Sequence, residues 1–118
     1  MLTLTPHQLN AIGEARFQQR LRDLLLDSVS DSRGVIDSPE GRKILSEQCA
    51  KARSYGMGAE LDVASYVIAA WLMGLDFDTR FAAMSEVLTS DQMTPSQKAF
   101  AITQITSVVM AELQKGTR

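Results

Sequence analysis

One cysteine, one histidine and one tryptophan in 118 residues close off more chemistry than any motif in the chain opens. Cys49 alone can form neither an intramolecular disulfide nor a cysteine-based zinc cage, which suits a reducing compartment and makes the cytoplasm the expected location. Its place on an apolar helix face reads as a buried structural thiol. A Ser-His-Asp or Cys-His relay would have to use His7, which sits beside Pro6 in the first turn of a terminal helix. A catalytic base must be oriented by its surroundings, and that position offers little to orient it. The chain is therefore expected to be no enzyme.

Glycine is scattered at 13, 34, 41, 56, 58, 74 and 116, and no Gly-Lys-Ser/Thr follows any of them, so no phosphate loop and no cofactor is expected. No apolar run approaches the roughly 20 residues that span a bilayer; the longest, residues 63–75, is interrupted by Ser65 and Gly74. The N-terminus lacks the basic start and apolar core of a secretory signal. Strong charge is missing as well: residues 1–57 carry eight Lys/Arg against seven Asp/Glu, and residues 58–118 four against seven. Nucleic-acid binding wants a concentrated basic face, and neither half supplies one.

What the chain does have is an ordinary globular balance, 45% hydrophobic and 22% charged. A single helical domain spanning residues 1–118 is expected, burying roughly two-thirds of its unfolded surface. Helix starts are written plainly. Thr5-Pro6-His7-Gln8 and Thr94-Pro95-Ser96-Gln97 each put a capping Thr before a proline at the first helical position, with Gln three residues after the cap. Ser38-Pro39-Glu40 repeats the order, with Asp37 as an alternative cap.

The apolar spacing predicts a first helix over about 6–28, carrying Leu9, Gly13, Phe17, Leu21, Leu24 and Leu25 on one face. A second, over 39–55, aligns Ile44, Leu45, Cys49, Ala52 and Tyr55 and ends where Gly56 can turn left-handed. The third, 60–73, is apolar on nearly every side after Asp62, as a helix in the middle of a bundle must be. A fourth over 79–88, capped by Asp78, and a fifth stopping at Gly116 with Ala99, Ile102, Ile105, Val109 and Leu113 in a stripe complete the set. The expected fold is all-α, a compact bundle or orthogonal array of about five helices around helix 60–73. If Trp71 is core, truncating it to Ala costs about 3–5 kcal/mol.

Several faint motifs fail on chemistry. Residues 29–40 echo a calcium loop, but Val29 and Arg33 stand where the first and fifth oxygen ligands belong. Glu60 and Asp62 lie one helix length from Asp76 and Asp78, about 20 Å, too far for a glycosidase pair, which needs about 10 Å or less. A helix-turn-helix reading fails because helix 60–73 offers almost no polar or basic side chain to base edges. Arg42, Lys43, Lys51 and Arg53 leave only phosphate contact open. Two apolar residues break their patterns: Leu26 lies off the apolar face of its helix and Phe100 points away from the Ile105–Val109 seam. If exposed, they mark a docking surface.

Tyr55-Gly56-Met57, Glu60-Leu61-Asp62-Val63-Ala64-Ser65-Tyr66-Val67, Gly74-Leu75-Asp76-Phe77-Asp78, Phe81-Ala82-Ala83 and Met93-Thr94-Pro95 form a pattern of helix junctions. With the opening Leu4-Thr5-Pro6-His7-Gln8-Leu9, it resembles small helical accessory proteins encoded beside spike, adaptor and effector genes of bacterial type VI secretion systems. Ala59 departs from the pattern, standing where a capping Ser or Thr is expected. The resemblance covers about residues 42–100 and the opening. It implies a non-enzymatic co-chaperone that binds an adaptor or chaperone in effector loading. On it, Tyr55, Asp62, Trp71, Asp76, Phe77 and Asp78 are either junction structure or contact surface. The expected partner-binding set is therefore Leu26, Phe100, Asp62, Asp76, Phe77 and Asp78, with homo-oligomerisation left open. The alternatives are an immunity protein neutralising a cognate toxin and a weak nucleic-acid-binding regulatory module.

Overall fold

The computed structural model describes residues 6–28 and 34–115. Every regular element among them is helical: α1 (Pro6–Ser28), α2 (Pro39–Ser54), α3 (Glu60–Met73), α4 (Phe77–Arg80), α5 (Ala82–Leu88) and α6 (Pro95–Lys115). The fold is all-α, as the periodicity predicts. Thr5, residues 29–33 of the loop weighed for calcium, and Gly116 lie outside the described residues, as does the side chain of His7. Contacts group the chain into two units, Met1–Ser46 and Glu47–Arg118, with the boundary inside the continuous helix α2.

In the first unit Phe17, Leu21 and Leu25 recur every fourth residue along α1 and are all buried. Leu24, expected on the same face, is exposed instead, as is Leu26. The start of α2 is fixed by Ser38 rather than Asp37: its hydroxyl accepts from the Gly41 N–H at 3.0 Å and donates to the Val35 carbonyl at 2.6 Å. Proline at the next position loses no bond, since the first amides of a helix have no internal partner. Asp37 instead pairs with Arg42 at 3.4 Å, both exposed, a pair that contributes little.

In the second unit α2 ends in two crossing bonds, Gly56 N–H to Arg53 carbonyl at 2.9 Å and Met57 N–H to Ala52 carbonyl at 3.1 Å. This is a Schellman turn. It requires the positive φ of Gly56, +90°, and it buries Met57 completely. Helix α3 packs along α6 more than along any other element. The two run parallel and in step: Asp62 meets Ser96 at one end, and Thr106 meets Met73 Sδ at 3.3 Å at the other. A capping box sets the start of α6, with Thr94 Oγ1 accepting from Gln97 N–H at 3.1 Å and Gln97 Oε1 accepting from Thr94 N–H at 2.9 Å.

Three details depart from the sequence reading. The fourth helix is two short ones, because Phe81 is extended (φ −104°, ψ 117°) between α4 and α5, with the Arg80 guanidinium 5.5 Å from its ring centroid. No Gly or Pro marks that break. The buried stripe of α6 is Lys98, Ala99, Ile102 and Thr106, while Leu113 at its far end is exposed. Finally, α3 hides Val63, Tyr66, Val67, Ala70 and Met73 but leaves Ser65, Ile68, Trp71 and Leu72 half-buried and Leu61 80% exposed. It is an inner rod with one open side. Trp71→Ala should therefore cost about 2 kcal/mol rather than a core residue's larger penalty, because half-burial secures only part of the transfer energy. Its covered indole N–H also finds no acceptor. Urea denaturation checks this, and a loss above about 4 kcal/mol would make Trp71 core after all.

Candidate functional site

Two places in the second unit gather functional groups. The first is built where α2 ends and α4 begins. Asp78 is 3% exposed and its two oxygens are both taken, one by Lys51 Nζ at 2.9 Å and the other by the Tyr55 hydroxyl at 2.7 Å. Lys51 also donates to the Leu75 carbonyl at 3.3 Å. Tyr66 stacks between them, its ring 6.0 Å from Tyr55 and 4.9 Å from Phe77. Burial alone would raise the Asp78 carboxyl. The hydrogen bonds from Tyr55 and Lys51 and the lysine charge outweigh it, so the group is held below the usual carboxylate range. Burial, then the Asp78 bond and charge, push Tyr55 up to about 12. Burial and the same charge lift Tyr66 far above the phenol range. A carboxylate with both oxygens occupied and two phenols that hold their protons form a structural staple. They offer no free base and no nucleophile.

The linkage has a sign at each end of the pH scale. Asp78, lowered in the folded state, adds stability that is present above the ordinary 3.8 and lost as pH falls below it. The tyrosines, raised in the folded state, add stability that is complete below 10.0 and lost as pH rises toward about 12 and beyond. Because the chain has only two tyrosines, tyrosinate absorbance should stay flat through the ordinary phenol range and rise only toward about 12 and beyond. Normal titration near 10.0 in a folded chain would contradict the staple.

The second place is the open side of α3. Leu61, Asp62, Ser65, Phe100 and Thr103 line a depression of about 350 Å³ between α3 and α6. Ser65, Ile68, Leu72, Thr103 and Ser107 line a second, of about 200 Å³, farther along the same seam. Shared Ser65 and Thr103 make them one trough. Across the Phe100 ridge, Met93, Gln97 and Phe100 border a shallower dish of about 570 Å³. Phe100 is 66% and Val108 62% exposed, so the ridge and the outer turns of α6 are apolar and open to solvent.

The residues singled out from the sequence divide between interior and surface. Phe77 is fully buried and Asp78 nearly so, which makes both junction structure; a partner cannot touch them in this conformation. Asp76 is exposed at the start of α4, where its carbonyl accepts from the Arg80 N–H at 2.9 Å. Asp62, 8% exposed, is in the trough wall, and Phe100 is on its rim. Leu26, 42% exposed, belongs to the first unit. Sequence reasoning missed Leu61, Ser65, Ser96 and Lys98. Lys98 was findable, because its spacing from Ile102 and Ile105 puts it on the apolar face of α6. Among the described residues no group of three or more His, Cys, Asp or Glu side chains could hold a metal ion, and no helix is long and apolar enough to cross a membrane. No family model matches the chain, and no curated protein or solved structure is similar to it.

Proposed function

We propose that this chain is a non-enzymatic interaction protein, an accessory or co-chaperone that binds an adaptor or chaperone in type VI effector loading, and that it docks through the α3–α6 face. The observation that carries the docking surface is the pair of exposed apolar side chains at the rim of the trough, Leu61 and Phe100, with Val108 exposed farther along α6. Water-exposed apolar clusters of this kind mark interaction sites more often than they persist bare. The secretion context rests on the junction pattern of residues 42–100 and the opening segment. The saturated Asp78 cluster supports the absence of catalysis, since the most concentrated group of titratable side chains is spent on holding α2 to α4. A nucleic-acid role finds less support, because Lys51 of the basic set on α2 is tied to Asp78.

Affinity capture from the native host with identification by mass spectrometry tests the reading. A spike, adaptor or chaperone component of the secretion system should come down with the chain, and recovery of none would remove the assignment. Phe100→Asp should leave unfolding within about 0.5 kcal/mol of the parent, as surface changes do, yet lose that capture. Unfolding of the variant would place Phe100 in the core.

A further inference from the structure

The trough between α3 and α6 has a polarity that its apolar rim conceals. Four of its hydroxyls donate to a carbonyl of their own helix: Ser65 to Leu61 at 3.1 Å, Thr103 to Ala99 at 2.9 Å, Thr106 to Ile102 at 2.7 Å, with Met73 Sδ also 3.3 Å away, and Ser107 to Thr103 at 3.0 Å. What they turn toward the trough is oxygen lone pairs. At one end stands Asp62, the one charged side chain among the described residues that line it, more than nine-tenths buried and bonded by the Ser96 hydroxyl at a long 3.4 Å. The N-terminal ends of α3 and α6 keep that anion tolerable while solvent still reaches it. Covering it changes the balance. A partner that excluded water without bringing a donor would bury the Asp62 ion without a counter-charge, which is costly.

The trough runs from Leu61 to Leu72, about 16 Å at helical rise, or three turns. Its middle is small, Ser65 and Ala69, and its rims are large, Leu61, Ile68, Leu72 and Phe100, a shape that admits the ridge of another helix. From this geometry we infer that the trough receives an amphipathic helix of a protein partner, with a Lys or Arg set in its apolar stripe at the end that meets Asp62. Apolar residues about one, two and three turns from that cation lie over Ser65, Ile68 and Leu72. A cation is selected because a wholly apolar or acidic stripe would cover the Asp62 carboxylate without a counter-charge.

The inference rests on reading the chain as an interaction protein, and its test contains no secretion component. A display library of helical peptides, with one face randomised, is selected on the full-length chain. The enriched faces should be apolar with Lys or Arg fixed at one end. In an enriched peptide, exchanging that cation for norleucine should weaken binding about tenfold or more, as loss of a charged hydrogen bond does. Asp62→Asn should abolish the distinction, and Ser65→Tyr, which fills the middle of the trough, should weaken every enriched peptide, giving a second variant if Asp62→Asn folds poorly. No enrichment, uniformly apolar or acidic faces, or a cation preference that survives Asp62→Asn would overturn the inference. So would a dimer undone by Phe100→Asp, which would put a second copy in the trough. Cation-selective binding with no secretion component captured leaves the trough and removes the secretion context; the converse result does the opposite.

Discussion

Lys98→Met is expected to destabilise the chain by about 2–4 kcal/mol, since a buried carbonyl and a half-buried one lose their donor at once. Lys98 is 9% exposed, yet no carboxylate pairs with it; its ammonium donates to the Leu88 carbonyl at 2.8 Å and to the Tyr55 carbonyl at 3.1 Å. Those carbonyls belong to the last turns of α5 and α2, where helix geometry leaves acceptors without partners and the backbone dipoles favour a cation. One side chain from α6 therefore closes the ends of two other helices. Methionine keeps the length and apolar stem but supplies no proton. Against a typical total of 5–15 kcal/mol the loss is large. It should be read as a shift in urea midpoint at unchanged slope. Because Lys98 lies half a turn before Phe100, partner capture should weaken along with stability. An unchanged midpoint would mean that water replaces the ammonium at both carbonyls.

The second large effect falls on a glycine whose backbone angle is unremarkable. A Cβ added at Gly41 would overlap the backbone carbonyls of Val35 and Ile36, which the Ser38 turn folds back over the start of α2. Backbone cannot step aside as a flexible side chain can. Gly41→Ala should cost about 3 kcal/mol, the upper part of the range for overpacking. Gly13 in α1 has nothing within 4 Å of the same added atom, and Gly13→Ala should stabilise by up to about 1 kcal/mol through helix propensity. Measuring the two by chemical denaturation separates crowding from propensity. Two changes of the same sign and size would mean that the loop over Gly41 is not seated as described.

Much of the fold is legible because helix ends are chemically local. Ser38, Thr94 with Gln97, and Gly56 can be read from a few neighbouring residues, and each acts where its spacing predicts. The break at Phe81 could not be read, since no Gly or Pro stands there. The site was legible in part. Phe100 betrayed itself by facing away from its own helix stripe, whereas the Asp76-Phe77-Asp78 run could be read equally as junction structure or as contact surface. Phe77 and Asp78 are inside and Asp76 is exposed; Lys51 and Tyr55, more than twenty residues earlier, supply the donors that make the buried Asp78 carboxylate tolerable. The trough escaped notice for a similar reason. Ser65 and Thr103 are ordinary helix residues until α3 and α6 are laid side by side.

Amide hydrogen exchange of the full chain, alone and with its captured partner, tests most directly whether the α3–α6 face is the working surface. Binding there predicts new protection confined to residues 61–72 and 93–108, with the amides next to Lys51 and Asp78 unchanged. Protection that spares those segments and appears instead on α1 or around Asp76 would contradict it.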